Sequence, residues 1–212
     1  RGHIFWDELY ILPLVTRALP QVTRALLMYR YRRLPAARAA ARAAGMPGAL
    51  FPWQSGSDGR EETQTMHLNP NSGRWLEDNS HLQRHVAIAI AYNVWKYYEW
   101  TRDEEFLNDY GAELFLELLR FMSGLATFNE SSSRYEILGV MGPDEYHDAY
   151  PGAESPGLDN NTYTNAMTAW MAVKAGEILD RLPDWRRAEL FDQLGITDDE
   201  PGRWDDLSRR LT

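Results

Sequence analysis

Between Met46 and Ser80 the chain places Pro47, Gly48, Pro52, Gly56, Gly59, Pro70 and Gly73, a density of helix breakers that excludes a long helix anywhere in the stretch. The residues before and after it repeat their apolar positions with helical period. From Pro20 to Arg33 the side chains of Val22, Leu26, Leu27 and Tyr29 form a stripe opposite Arg24, Arg30 and Arg33, and Pro20 suits a first helical turn. Pro35 opens a short Ala/Arg-rich helix that Gly45 is placed to cap, so these two segments read as a helical hairpin. A chain that alternates helices with so long a broken segment needs a fold that keeps its loops at one end. Loops of that length in a compact domain serve function, and this one carries Phe51, Trp53, Met66 and Trp75.

Two further helices are expected from His81 to Trp100, with Val86, Ile90, Val94 and Tyr97 or Tyr98 inward, and from Asp103, an N-cap for Phe106, Leu107, Tyr110, Leu114, Leu118 and Phe121. The short Thr101-Arg102 link makes this pair antiparallel. Tyr135 to Leu138 is the one strand-like stretch; it runs into a Gly-Pro loop, and a second broken segment follows to Asn161. Helix resumes from Tyr163 or Thr164 to about Arg181, then from Asp184 to Leu194, with an amphipathic piece after Pro201. The expected class is all-α, helical hairpins arranged as a toroid with the long loops at one mouth.

Composition narrows the partners. A formal net charge of -9 leaves no basic stripe for nucleic acid or an anionic membrane; the nearest approach, Arg30, Arg32 and Arg33, reads as a solvated helix face. No apolar run approaches the roughly 20 residues of a membrane span. The chain has no cysteine, which removes disulfides and thiolate metal sites and points to a reducing cytoplasm. His81 and His85 stand four apart on the expected helix, a spacing that metal sites use, but no third ligand accompanies them and no metal is expected.

Two loops carry chemistry. Gly142 to His147, GPDEYH, presents Glu145 after a pair that cannot continue a helix, and Phe5-Trp6-Asp7 sets aromatic faces beside an acceptor. An indole that stacks on a pyranose, a carboxylate that accepts hydroxyl hydrogen bonds and an acid that protonates a glycosidic oxygen make a sugar site. Trp53 is either a second stacking surface or a core plug. Asn160, Asn161 and Tyr163 either support the acid loop or cap the helix that follows. His85 is expected to hydrogen-bond at the mouth, to sugar. A noncatalytic helical-repeat module is the reading from another class; it predicts a recurring signature at about 34 to 47 residues, and none is found.

In order, FWDE at Phe5 to Glu8, LMYRYRRLPAAR at Leu27 to Arg38, GALFPWQS at Gly48 to Ser55, HVAIAIAYNVWKYY at His85 to Tyr98, VMGPDEYH at Val140 to His147 and NNTYTN at Asn160 to Asn165 resemble glycoside hydrolase family 65 over nearly the whole chain. The resemblance implies an (α/α)6 barrel, of which residues 1–212 are expected to form part, with the remainder missing C-terminally and N-terminally. It implies inverting phosphorolysis or hydrolysis of α-glucosidic disaccharides, with Glu145 as general acid, Trp6 and Asp7 on the transferred glucosyl unit, and the loop after FPW, with Glu61 and Thr63, at the acceptor subsite. The implied partners are a disaccharide and inorganic phosphate as co-substrate, with no cofactor or metal; separately, half a toroid exposes faces that a second copy is expected to cover in a homo-oligomer. Glu8 stands where the family has Thr, Leu9 where it has Glu, and Ala89 where it has Asp, which implies a nonstandard specificity. The family's Lys-Gln pair and its Ser/Gly/His phosphate site are not found within these residues.

Overall fold

A computed structural model of the chain describes residues 3–144 and 147–212. In chain order it comprises α1 (Glu8–Ala18), α2 (Pro20–Arg32), α3 (Leu34–Ala43), a hairpin of β1 (Met66–Leu68) and β2 (Trp75–Glu77), a 3-10 turn (Ser80–Leu82), α4 (Val86–Thr101), and α5 (Glu104–Phe106). A π-turn (Leu107–Gly111) leads into α6 (Ala112–Leu125), followed by a hairpin of β3 (Ala126–Asn129) and β4 (Arg134–Ile137), then α7 (Thr162–Arg181), α8 (Asp184–Leu194) and α9 (Glu200–Arg210). The chain is therefore all-α, a fragment of an (α/α)6 barrel, with its two antiparallel hairpins confined to connections.

Two helices form the centre. α4 is buried on every side through its first half, from Val86 to Ala91, and Val94, Trp95, Tyr97 and Tyr98 continue the burial; it packs against α1, α2, α6 and α7. α6 is buried continuously from Ala112 to Leu119 between α4 and α7. Helices that are hydrophobic all round belong inside a layered bundle, with amphipathic partners outside. Asp103 caps the second of the pair as expected: its carboxylate accepts from the Phe106 amide at 2.9 Å.

The expected stripe of α2 is displaced. Val22 is exposed, and the buried positions are Thr23, Leu27 and Arg30. Hydrogen bonding accounts for the polar members. The Thr16 hydroxyl lies 3.0 Å from that of Thr23, and the Arg30 guanidinium, 1% exposed, meets Glu8 at 2.8 Å. Arg30 is thus an interior cation with its own counterion rather than part of a solvated face; Arg32 remains exposed. A second polar knot lies under α3, where Arg38 reaches buried Glu113 at 2.7 Å and Glu117 at 2.6 Å.

Three other expectations change. Arg33 alone separates α2 from α3, too short a link for reversal, and the two helices meet only near their junction, so they form a corner rather than a hairpin. α4 starts at Val86, which leaves His81 in the preceding 3-10 turn and dissolves the shared helix face with His85. The strand at Tyr135 is one of four among the described residues. β3 pairs with it through Ala126↔Ile137, and β1 with β2 through Met66↔Glu77. α1 escaped the sequence reading because Pro13 lies inside it.

Candidate active site

The loop ends gather over the N-terminus of α4. Ile4 and Ser55 exchange backbone hydrogen bonds at 2.8 Å in each direction, which draws the segment before α1 onto the start of the long loop. Trp6 is thereby packed at ring-centroid distances of 5.9 Å from Trp53, 4.8 Å from His85 and 6.4 Å from Tyr163, with Phe5 6.2 Å from Trp53. Five residues separated by more than 150 positions in the chain form one aromatic wall. Trp53 is 7% exposed, so it stiffens that wall more than it offers a face.

The Gly142 loop approaches from the other side. The Met141 amide donates to the Leu82 carbonyl at 3.0 Å, Val140 pairs with Leu158, and the Gly142 amide donates to the His147 carbonyl at 2.9 Å, closing the loop on itself. Glycine is required at 142 for space: a Cβ would lie 2.8 Å from His147 Nδ1 and 2.9 Å from Asn161 Nδ2. Of the two alternatives for Asn161, the helix cap is the one seen. Its Oδ1 caps α7 by accepting from the Thr164 amide at 3.1 Å, while its amide nitrogen abuts the base of the loop. Asn160, at φ 52°, accepts at Oδ1 from the Ile137 amide and from Asn165. Glu145 and Tyr146, and with them the expected general acid, lie outside the described residues.

Between wall and loop is a cavity of about 540 Å³, lined by Trp6, Trp53, Gln64, His67, Glu77, Asp78, Asn79, Ser80, Gln83, Met141, Pro143, Asp144 and Asp148. That volume is within the range of small-molecule sites. Six of these residues, Gln64 to Ser80, belong to the loop expected at the acceptor subsite, though none was singled out; His67 and Glu77 lie on β1 and β2, whose short exposed strands gave no periodic signal. They are mutually ordered. Gln64 donates to Asp78 at 2.8 Å, Asn79 donates to Asp148 at 3.1 Å, and His67 lies 3.6 Å from Asp78. Burial raises the Asp78 pKa, but the Ser80 hydroxyl, the Gln64 amide and the Ser80 backbone amide more than offset it, so the carboxyl ends below its ordinary value.

His85 is fully buried behind the wall, with neither ring nitrogen hydrogen-bonded among the described residues. Burial pushes its pKa down to about 4, with the Met141 backbone pulling weakly upward, so the imidazole is neutral at physiological pH. Tyr163 is likewise pushed, chiefly by burial, to about 12. Asp7 is exposed and faces the other side of its turn, beside a groove with Ile4, Glu8 and Leu26; its charge and that of Asp144 both act on Tyr10. Glu61 accepts from the backbone amides of Trp53 at 3.2 Å, Gln54 at 3.4 Å and Thr63 at 3.1 Å, and Thr63 also donates its hydroxyl to Glu61. The pair ties the long loop together. Glu61 lines a second cavity of about 380 Å³, which shares Trp53 and Gln83 with the first as lining residues.

Comparison with known proteins identifies the family. The chain is 54% identical over 211 residues to an uncharacterized glycosyl hydrolase of Mycobacterium tuberculosis, covering 100% of this chain and 16% of that protein. It is 49% identical over 170 residues to trehalose 6-phosphate phosphorylase of Lactococcus lactis, covering 80% of this chain and 22% of that one. With kojibiose phosphorylase of Halothermothrix orenii it shares 37% over 213 residues, 96% of this chain and 26% of that one. The solved structure of a putative kojibiose phosphorylase from the human microbiome superposes with TM-score 0.82 at 26% identity, over 100% of this chain and 25% of that chain. The chain therefore spans about a quarter or less of the length of these relatives. Since the Glycosyl hydrolase family 65 central catalytic domain profile matches residues 1–212 throughout, and the helices and loops fall where that likeness requires, the chain belongs to glycosyl hydrolase family 65.

Proposed function

We propose that the protein carrying this chain is an inverting phosphorylase of α-linked glucosyl disaccharides, with residues 1–212 contributing part of its catalytic barrel. The observation that carries the reading is the 540 Å³ cavity with Trp6 and Trp53 on one wall and Pro143, Asp144 and Asp148 on the other, since Glu145 falls between those last residues in sequence. The names of two of the relatives support the same chemistry, a kojibiose phosphorylase and a trehalose 6-phosphate phosphorylase, whereas the relative at 54% identity is named only as a glycosyl hydrolase.

In this mechanism the glucosyl unit stacks on Trp6, with Phe5 and Trp53 behind it. His85, Asn161 and Tyr163 hold the wall and the loop, and Glu61 and Thr63 shape the acceptor side. Glu145 gives its proton to the glycosidic oxygen as the bond to C1 breaks. A phosphate oxygen forms its bond to C1 from the opposite face, which yields β-glucose 1-phosphate and the free acceptor. Phosphate arrives as an anion, so it needs no second carboxylate to activate it. Inorganic phosphate is the co-substrate and no cofactor takes part. The proposed compartment is the cytoplasm; among the described residues no helix is long and apolar enough to cross a membrane.

Hydrolysis is the second reading, and one observation favours it. Glu77, Asp78, Asp144 and Asp148 make the main cavity acidic, which repels phosphate, so phosphorolysis needs an anion seat from other residues of the complete protein. Incubating that protein with a panel of α-linked glucobioses, with and without phosphate, and following the anomer released separates the two. Retention of configuration would overturn both. Glu145→Gln is expected to reduce kcat on unactivated disaccharides at least a hundredfold, within the usual ~10²–10⁴ range for general acids, with KM little changed. Near-normal turnover removes Glu145 from the role.

A further inference from the structure

The 3-10 turn Ser80–Leu82 stands just ahead of α4, with Asn79 at its N-cap. An asparagine in that position ordinarily folds its side chain back onto the amides of its own turn. Asn79 makes no such bond. Asp78 takes the Ser80 amide instead, at 2.9 Å, and the Asn79 carboxamide reaches across 69 positions of the chain to donate to the Asp148 carboxylate at 3.1 Å. The far end of the same turn makes a second long contact, the Leu82 carbonyl accepting from the Met141 amide at 3.0 Å. These two contacts fall on either side of Gly142 to His147, so one short turn grips the loop before and behind. The turn is itself held: the Leu82 amide donates to the Asn79 carbonyl at 2.8 Å, Gln64 donates to Asp78 at 2.8 Å, and the chain then enters the buried start of α4 at Val86. Asp148 is half-buried on the cavity wall, and Asn79 is the donor its carboxylate meets among the described residues. Removing that donor leaves the carboxylate to seek water, so the contact governs where its segment lies.

We infer that the Ser80–Leu82 turn is a two-point staple on the Gly142 loop and that Asn79 is a positioning residue for the reaction, acting by holding Asp148, three residues past Glu145 in sequence, rather than by touching the reacting atoms. That the staple serves proton donation rests on the reading of Glu145 as general acid; that the loop is stapled rests on the two contacts alone. A general acid displaced by about 1 Å loses proton transfer while the aromatic wall keeps its hold on the sugar, so the cost of losing the staple falls on kcat rather than KM. It also depends on the leaving group. The oxygen that departs from a disaccharide needs the proton, whereas fluoride leaves α-glucosyl fluoride as a stable anion and needs little help from an acid. A residue that only supported the fold would slow both substrates alike.

The complete protein is assayed as wild type, Asn79→Ala, Asp148→Ala, the double variant and Asp148→Asn, on α-linked glucobioses and on α-glucosyl fluoride, with thermal melts as a folding control. Asn79→Ala is expected to lose roughly tenfold in kcat on the disaccharide, the worth of one hydrogen bond to a charged group, and less than about twofold on the fluoride. The double variant is expected to be no slower than the slower single one, since both remove the same contact, and Asp148→Asn, which keeps an acceptor, to recover most of what Asp148→Ala loses. Hydrogen exchange followed by mass spectrometry is expected to quicken at least about tenfold at the Met141 and Gly142 amides in Asn79→Ala, with α7 unchanged. Undiminished kcat on the disaccharide overturns the proposal, as do equal losses on the two substrates, additive losses in the double variant, or unchanged exchange. Faster exchange in a protein that cleaves neither substrate leaves the staple standing and removes the glycosidase reading. Inverting cleavage of both substrates that Asn79→Ala leaves untouched does the reverse.

Discussion

His85 shows how a single residue resists reading from sequence. Its place in an ordered motif drew attention to it, and the aromatic wall is where that attention led, but the property that matters is its surroundings. Trp6 at 4.8 Å and Trp53 at 4.9 Å come from segments more than 30 residues upstream, and no local pattern announces them. The consequence is a titration. Its folded pKa of about 4 lies below the unfolded value near 6.5, so between those pH values the unfolded chain binds a proton that the native one refuses. Stability is unaffected above pH 6.5 and falls by up to about 3 kcal/mol as pH drops through 6.5 toward 4. An imidazole resonance that titrates near 4, identified by its loss in His85→Gln, is the expected NMR result. A midpoint near 6.5 would show the ring in contact with water. What was legible is the family, because its motifs are contiguous stretches of sequence such as VMGPDEYH.

At the scale of elements, apolar period and capping chemistry sufficed wherever a helix is amphipathic and locally terminated. Asp184–Leu194 has the expected bounds, Gly45 follows α3 with φ 71°, and Asp103 caps its helix. What failed was the face of α2, where buried Thr23 and Arg30 depend on partners in α1, and the β1/β2 hairpin, whose residues are largely exposed. Asp103 also connects three elements: besides the Phe106 amide it accepts from the Tyr97 hydroxyl at 2.7 Å and from Arg24 Nε at 3.2 Å. Burial raises its pKa, but these three donors outweigh it and hold the carboxyl below its ordinary range, while the Tyr97 hydroxyl is pushed up to about 12, chiefly by burial. Because the folded pKa is depressed, the stabilisation is present above the unfolded value near 4 and is lost as pH falls through the lower folded value. Asp103→Ala is expected to cost about 2 kcal/mol in urea unfolding, and Asp103→Asn, which keeps the cap but not the charge, about half that. Equal costs for the two would mean that the cap contributes nothing.

For the whole molecule the informative surface is one that nothing covers. Tyr10, Ile11 and Leu14 on α1 are 63%, 58% and 71% exposed, with Leu19 and Val22 continuing the patch onto the start of α2. An apolar patch of that extent on a helix whose other side packs on α4 suits a helix of a closed ring, and the chain spans 16% and 26% of the length of two relatives it matches. On the proposal that residues 1–212 are part of a larger barrel, further helices bury this face in the complete protein. Replacing Ile11 and Leu14 by Lys then places two ammonium groups in an interior interface, at a cost of at least about 2 kcal/mol each from lost apolar burial alone. The double variant of the complete protein should melt well below wild type. In the isolated 212 residues, where the face has only another copy to meet, the same variant should convert self-associated species to monomer in light scattering. An unchanged melting temperature in the complete protein would show that α1 turns this side to water there as well, and that the ring closes elsewhere.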